Sequence, residues 1–506
     1  MNYSSESKVV SNQEPQKLFD FILQIEKTFP VEQWTIRDLQ IWPIIRTKLY
    51  RDNLYEVLDT QHINNQQNLI ILKNRLSRIL ATAFRYFKAT LLDSKHKESR
   101  HTAPVLYFSS GNSMVKENGY YMDKFYQPIH EALSSHGKAS ICFNYGEYMV
   151  FPRKSPSIFL SPKLHLLTIR NFFSPRKNSE QQINLPDFDQ FISLVKDNCL
   201  NTLSQSQWVK YISKISLLSD YLIRLIKRFE ANVIMTICYY SDLGFALSYA
   251  AHKIGTYLID VQHGVQGPYH IAYGRWSKIP PEGYNTMPSH FWVWSENDFL
   301  NIASWARSKA MTPFVGGHPY IQYFINHQSP DYNVQWNKFV IKNKPAVLVS
   351  LSKDLSSSDH LKPILDCCHK TQDEYLWLFR LHPGMLNQHD EMMQLIHHSG
   401  ISLFNLTDAS QLPLPFLLSK CQVHVTFSSS VVIEASLYQV PSIITSAYGQ
   451  ILYPDFIERG IADIAFTATE IEYKLKEFLT HHKTKHLPNL EQKFHSGIKH
   501  VTELLA

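Results

Sequence analysis

The sequence predicts an α/β protein made of two consecutive Rossmann-like domains preceded by a helical extension. Two series of short apolar runs, starting at residues 104 and 345, alternate with helical patterns, as expected for parallel sheets covered by helices. The 506 residues are enough for two or three domains with their own cores. At 44% apolar and 19% charged, the chain has a globular composition.

Taken in order, residues 1–17 are polar and read as a disordered tail. A helical region follows over 18–100. Within it the 34–46 stretch spaces Ile36, Leu39, Trp42 and Ile45 along one helical side, with Thr35 and Asp38 as a capping box. Residues 69–92 interleave Lys73, Arg75, Arg78, Arg85 and Lys88 with large apolar side chains. That helix either lies on an anionic bilayer surface or packs with a solvated charged face.

The first α/β domain is expected over 101–325. Its strands are read at 104–111, 139–143, 166–169, 233–238, 257–261 and 291–294, and its helices at 208–229 and 243–253. The Pro- and Ser-rich 152–186 stretch reads as an excursion or a mobile segment. The second domain, over 326–480 after a polar 326–344 connection, repeats the alternation. It has strands at 345–351, 375–379, 401–406, 422–427 and 441–445, and helices at 360–370, 390–397 and 469–480; a C-terminal helix fills the 481–506 segment. Two such domains facing a cleft would bring the ligand-binding ends of their strands together.

Composition narrows the function. Six scattered cysteines without Cys-x-x-Cys spacing suit reduced thiols in the cytoplasm. No run reaches transmembrane length, and the N-terminus has no signal-peptide core. A net charge of +6 fits anionic ligands or an anionic membrane surface and falls short of a nucleic-acid-binding signature. No metal is expected, although one Asp-x-Asp pair occurs, Asp187-Phe-Asp189.

Three motifs carry chemistry. Leu258-Ile-Asp-Val-Gln-His-Gly264 sets Asp260, Gln262 and His263 at a strand end, with a histidine able to take a proton and a carboxylate nearby. Arg380-Leu-His-Pro383 places a guanidinium and an imidazole two residues apart, on one side of an extended backbone, as a grip for phosphate or carboxylate. The turn Ser428-Ser-Ser430 is expected beside it in the sheet and starts a helix, offering hydroxyls and backbone N–H groups; it reads equally as a plain helix cap. Glu434 on that helix is placed for ribose hydroxyls or for capping. Tyr121, in Gly-Tyr-Tyr-Met-Asp-Lys124, is either an acceptor contact or a surface aromatic on a packed helix.

The order Gln-His-Gly, Gly-His-Pro, Arg-Leu-His-Pro and Ser-Ser-Ser-Val-Val-Ile-Glu-Ala-Ser-Leu-Tyr-Gln-Val-Pro resembles bacterial GT-B glycosyltransferases of capsule and surface-polysaccharide assembly. These include sialyl-, polysialyl- and Kdo transferases and the teichoic-acid-type glycerophosphotransferases. The resemblance spans roughly 230–460. It implies that His382, Ser428, Ser429 and Ser430 hold the donor phosphate together with Arg380, that Glu434 binds ribose, and that His263 is the base. It also implies a nucleotide-sugar substrate, with CMP as the expected nucleotide, no cofactor, and a growing glycan or glycolipid as acceptor at the inner-membrane surface. Gln262 and Tyr121 would contact the acceptor, and a retaining enzyme would need Asp260 or Asp242 as nucleophile. Two features depart from the pattern: Gln262-His263 stands where the sialyl and Kdo enzymes have an acidic pair, and Gln439 where many GT-B enzymes have glycine. A CDP-polyol phosphotransferase and a non-catalytic assembly scaffold are the alternatives.

Overall fold

The structure, a computed structural model, describes residues 14–58, 102–111, 113–117, 119–146, 150–161, 163–164, 167, 182–306, 310–340, 344–351, 358–480 and 490–506. The basic 69–92 stretch, nearly all of the 166–169 strand and most of the N-terminal tail lie outside them. The chain forms two compact units, Met1–Tyr320 with Glu491–Ala506, and Ile321–Leu490.

The first unit contains β1 (Thr35–Ile36), β2 (Leu39–Gln40), β3 (Val105–Ser109), β4 (Met114–Glu117), β5 (Tyr120–Asp123), β6 (Ser140–Asn144), β7 (Ser157–Phe159), β8 (Ile183–Asn184), β9 (Val233–Thr236), β10 (Tyr257–Val261), β11 (His290–Val293) and β12 (Thr312–Val315). Seven of these form one parallel sheet in the order β12-β11-β10-β9-β3-β6-β7. β3, β9 and β11 are buried along their whole length, as strands covered on both faces by helices must be. The order reverses between β3 and β9. That is the Rossmann switch point, where ligands sit outside the strand ends.

The second unit holds β13 (Ala346–Ser350), β14 (Leu376–Arg380), β15 (Phe404–Asn405), β16 (Val423–Thr426), β17 (Ser442–Ile444) and β18 (Ala462–Ile464). Their parallel order, β15-β14-β13-β16-β17-β18, is the six-strand Rossmann order, with its switch point between β13 and β16. The architecture is therefore the expected one: two Rossmann-like domains of GT-B type after a helical N-terminal segment.

Several local expectations are corrected. Helix begins at Glu14, within the stretch read as a tail. The 34–46 stretch is not continuous helix: Arg37 and Asp38 adopt φ of 52° and 59°, so β1 and β2 form a tight hairpin, and helix begins only at Trp42. Asp38 caps nothing there; its carboxylate receives Tyr249 Oη–H (2.5 Å) and pairs with Lys253. The 120–124 segment is an antiparallel hairpin, β4–β5, rather than part of a packed helix. The 152–186 excursion contributes β7 to the sheet edge, and the 326–344 connection contains a helix, Pro330–Phe339. Strand pairing at 401–406 shrinks to two residues, and β18 was not anticipated.

The N-terminal helices join the core of the first unit. Trp34 and Trp42 lie 5.7 Å apart edge to face, with Phe188 and Phe191 against Trp34. The C-terminal helix, Leu490–Glu503, reaches the same unit: Phe494 packs 5.9 Å from the Trp292 ring.

Candidate functional site

The expected catalytic motif leaves β10 at the carboxyl edge of the first sheet. Asp260 is fully buried, accepting Tyr239 N–H (3.0 Å) and Tyr273 Oη–H (2.5 Å). Burial raises its pKa to about 7, against the pull of those two donors. Both carboxylate oxygens are thus engaged: Oδ2 holds the 268–277 loop onto the sheet and Oδ1 holds the turn that follows β9. Gln262 is equally committed: its Oε1 accepts Trp294 N–H (2.6 Å) and its Nε2 donates to Gly264 O (3.0 Å). That pairing locks the Gln-His-Gly turn to the end of β11.

His263 differs. Its Nε2 lies 3.4 Å from Tyr240 Oη, and its Nδ1 is buried with no hydrogen-bond partner. Burial, with a smaller contribution from the Lys124 ammonium, lowers its pKa to about 4, so the imidazole is neutral near pH 7. In the tautomer that donates Nε2–H to Tyr240, Nδ1 carries an unshared pair. His270, which sequence reasoning passed over among 24 histidines, lies in the same cluster, its ring 5.3 Å from Tyr240 and 4.8 Å from Tyr273. Burial and then His263 depress it to about 3.

The other strand ends add to this edge. Phe125, directly after β5, stacks on Trp294 (6.2 Å, 25°), and His318 of Gly-His-Pro packs 4.0 Å from Trp294. Asp123 accepts Ser109 and Ser113 hydroxyls and the Phe125 and Tyr126 N–H groups (2.9 and 2.8 Å), fixing the hairpin to the end of β3. Tyr121 lies in that hairpin, its backbone bonded to Pro152 and Lys154 and its ring 5.8 Å from Lys116 Nζ. Asp242 stands apart, at the start of the Asp242–Ile254 helix, where it takes the Tyr211 hydroxyl and Lys214 Nζ (2.9 Å). Burial alone would raise its pKa, but those two partners outweigh it and hold the carboxyl below its usual range.

In the second unit, Arg380 ends β14 and donates Nη1–H to Ala409 O (2.6 Å) and Leu412 O (2.5 Å). It thereby serves the carboxyl end of the Thr407–Gln411 helix. His382 is exposed, and its Nδ1 accepts Gly384 N–H (3.0 Å). β14 and the serine strand β16 are not neighbours, contrary to expectation: β13 runs between them, so the two motifs are roughly 10 Å apart across the sheet.

The serine turn leaves β16 at the switch point. Ser430 precedes the Val431–Leu437 helix without a side-chain cap bond, but Ser429 Oγ accepts the Val431 N–H (3.4 Å), so one serine of the turn does cap the helix start. The turn is also braced through its carbonyls: Tyr453 Oη–H reaches Ser428 O (3.2 Å) and Ser429 O (2.9 Å), and Ser446 Oγ–H reaches Phe427 O (2.5 Å). Glu434 is buried on this helix, close enough to His424 to oppose the burial that takes that histidine to about 3. His424 links three strands through Ser350 (2.6 Å) and Ser442 (2.9 Å). Gln439 follows the helix at φ 55°, a left-handed conformation that glycine adopts without strain.

No cluster of three or more His, Cys, Asp or Glu suited to a metal occurs among the described residues, and none of their helices is long and apolar enough to cross a membrane. No protein-family model and no curated protein sequence matches the chain. Among solved structures it is similar to the UDP-GlcNAc 2-epimerase of Methanocaldococcus jannaschii at 13% identity, covering 79% of this chain and 99% of that one, with a TM-score of 0.47. The UDP-GlcNAc 2-epimerase of Neisseria meningitidis bound to UDP-GlcNAc gives 14% identity, 79% and 98% coverage, and 0.47. The wall teichoic acid polymerase TagF gives 12% identity, 87% and 93% coverage, and 0.40.

Proposed function

We propose that the protein is a metal-independent glycosyltransferase that moves a sugar, of the Kdo or sialic-acid kind, from a CMP-linked donor to a growing surface glycan or glycolipid. What carries this reading is the position of the serine turn: it leaves β16 where the order of a Rossmann sheet reverses, the place such sheets bind nucleotides. The second unit then holds the donor phosphate through Ser428, Ser429, Ser430 and His382. Glu434 faces the ribose, and Arg380 braces the strand end that carries His382. The first unit supplies the base. His263 takes the proton of the acceptor hydroxyl as its oxygen bonds to the anomeric carbon, and the sugar–phosphate bond breaks with its electron pair leaving on the nucleotide. Asp260 and Asp242 are engaged by their own partners, which favours His263 as a single base over a carboxylate nucleophile.

One observation favours a second reading, a CDP-polyol phosphotransferase: the group at the end of β10 is histidine in Gln-His-Gly, as in the glycerophosphotransferases the sequence resembles. Calorimetric titration with CMP, CDP and UDP is the first test, followed by transfer assays with CMP-sugar against CDP-glycerol. Binding of a cytidine nucleotide that weakens in Ser428→Ala is the expected result. No binding of any nucleotide would leave a non-catalytic scaffold, and wild-type transfer by folded His263→Ala would remove the assigned base.

A further inference from the structure

Lys124 is the unexplained charge at the edge of the first sheet. It makes no ion pair among the described residues; its Nζ lies 4.9 Å from the Phe125 ring centroid, and it is half-buried. The carboxylate next to it in sequence does not answer it, because Asp123 already accepts two hydroxyls and two backbone N–H groups. Phe125 stacks on Trp294, whose backbone N–H is held by Gln262, so the ammonium belongs to the strand ends that carry His263. Hydrogen-bonding capacity there is also unmet. Trp294 Nε1, both amide atoms of Gln266 and His263 Nδ1 are buried without partners, while Trp294 and Gln266 are each only 1% exposed. A buried polar group without a partner costs about 1–3 kcal/mol, so several on one sheet edge are the mark of a site shaped for a polar ligand.

We propose that this edge binds an acceptor carrying a negative charge, a phosphate or carboxylate close to the reacting hydroxyl, with Lys124 as its counter-ion and Trp294 and Gln266 supplying hydrogen bonds. The inference rests on the transferase reading and names the substrate class of its first unit. It also changes the chemistry of the base. The Lys124 ammonium is one of the two causes that depress His263, and an anion paired with it removes that contribution, so the acceptor makes His263 a better base on arrival.

The test is calorimetry on the full chain at constant ionic strength, with glycerol 3-phosphate, glycerate and glycerol as probes. Glycerol 3-phosphate or glycerate is expected to bind while glycerol does not. Lys124→Gln is expected to weaken that binding about tenfold or more, Lys124→Arg to restore most of it, and a Ser428→Ala/Ser429→Ala pair to leave it unchanged. Affinity for CMP, CDP and UDP in Lys124→Gln should equal the wild type. Absence of anion binding, binding that survives Lys124→Gln, or binding lost in the serine pair would each overturn the proposal. If nucleotides bind and the anion arm fails, only this inference falls. If the anion binds through Lys124 and no nucleotide binds, the site stands and the transferase reading falls.

Discussion

Replacing Glu26 tests whether the N-terminal helices position the loop that carries His270 and Tyr273. Glu26 is fully buried on the Glu14–Thr28 helix. Its Oε1 pairs with Arg46 and accepts Trp42 Nε1–H (3.0 Å), and its Oε2 accepts the Ser277 N–H (2.8 Å) and hydroxyl (2.6 Å). Arg46, also fully buried, donates onward to Ile271 O (3.0 Å) and Arg275 O (2.6 Å) and lies 3.8 Å from the Trp276 ring. In Glu26→Ala a guanidinium stays buried without its counter-charge, at a cost of about 3–5 kcal/mol for breaking one side of such a pair. The affected contacts are local, so the loss appears first as easier opening of the 268–277 loop. Amide exchange there should accelerate by roughly two to four orders of magnitude. Peptide-resolved hydrogen exchange measures this, with peptides from β13 and β16 as internal controls. Glu26→Gln, which keeps an acceptor for Trp42, should fall between the two. Exchange in Glu26→Ala within threefold of wild type would refute the clamp.

Two other perturbations follow from packing and from charge. Gly316→Ala would drive a methyl group into the Trp292 indole, and the same contact is closed from the other side, where a Cβ on Gly497 would lie 2.7 Å from Gly316 Cα. Overpacking of about 1–3 kcal/mol should lower the melting temperature and let limited proteolysis release the C-terminal helix; an unchanged melting curve would contradict the tight approach. Acid should destabilise the fold. Burial holds His263, His270 and His424 at about 4, 3 and 3, so between pH 6.5 and 4 the unfolded chain binds more protons than the folded one. Stability is therefore lost as pH falls through that window. Asp260, raised to about 7, works in the opposite direction. With His290, which burial likewise lowers to about 4, the balance is roughly 2.5 protons near pH 5.5, or on the order of 3 kcal/mol per pH unit, and a thermal midpoint that stayed level from pH 7 to 5 would refute it.

The parallel sheets were legible because their strands are buried on both faces and read as uninterrupted apolar runs, such as Val105–Ser109 and Leu376–Arg380. The β1–β2 hairpin was not: Ile36, Leu39, Trp42 and Ile45 satisfy a helical spacing, and the two left-handed residues that break it, Arg37 and Asp38, carry no glycine signal. The same physics hid the role of Gln439, a left-handed helix end without glycine. The candidate site was legible as motifs but not as partners. His263 stood out through Gln-His-Gly, whereas His270, Tyr240 and Tyr273 had no local pattern, since the cluster joins the ends of β9 and β10 to a loop ten residues further on. Arg380 was visible as a charge at a strand end. What the sequence could not state is that two backbone carbonyls at 409 and 412 would occupy its Nη1.

The charges at the edge of the first sheet are linked through one cause. The burial that pushes Asp260 up to about 7 pushes His263 down to about 4, so near neutral pH the imidazole is uncharged and the carboxyl is about half protonated. On the transferase reading proposed above, Lys124 is then a cation facing a base that must itself become a cation when it takes a proton. Two positive charges in a poorly hydrated site oppose that step, and the opposition is removed only if a negative group arrives with the substrate. A neutral acceptor would meet His263 at its weakest as a base. An acidic one meets it after the Lys124 charge has been answered, so the preference for an anionic acceptor should appear in kcat as well as in KM.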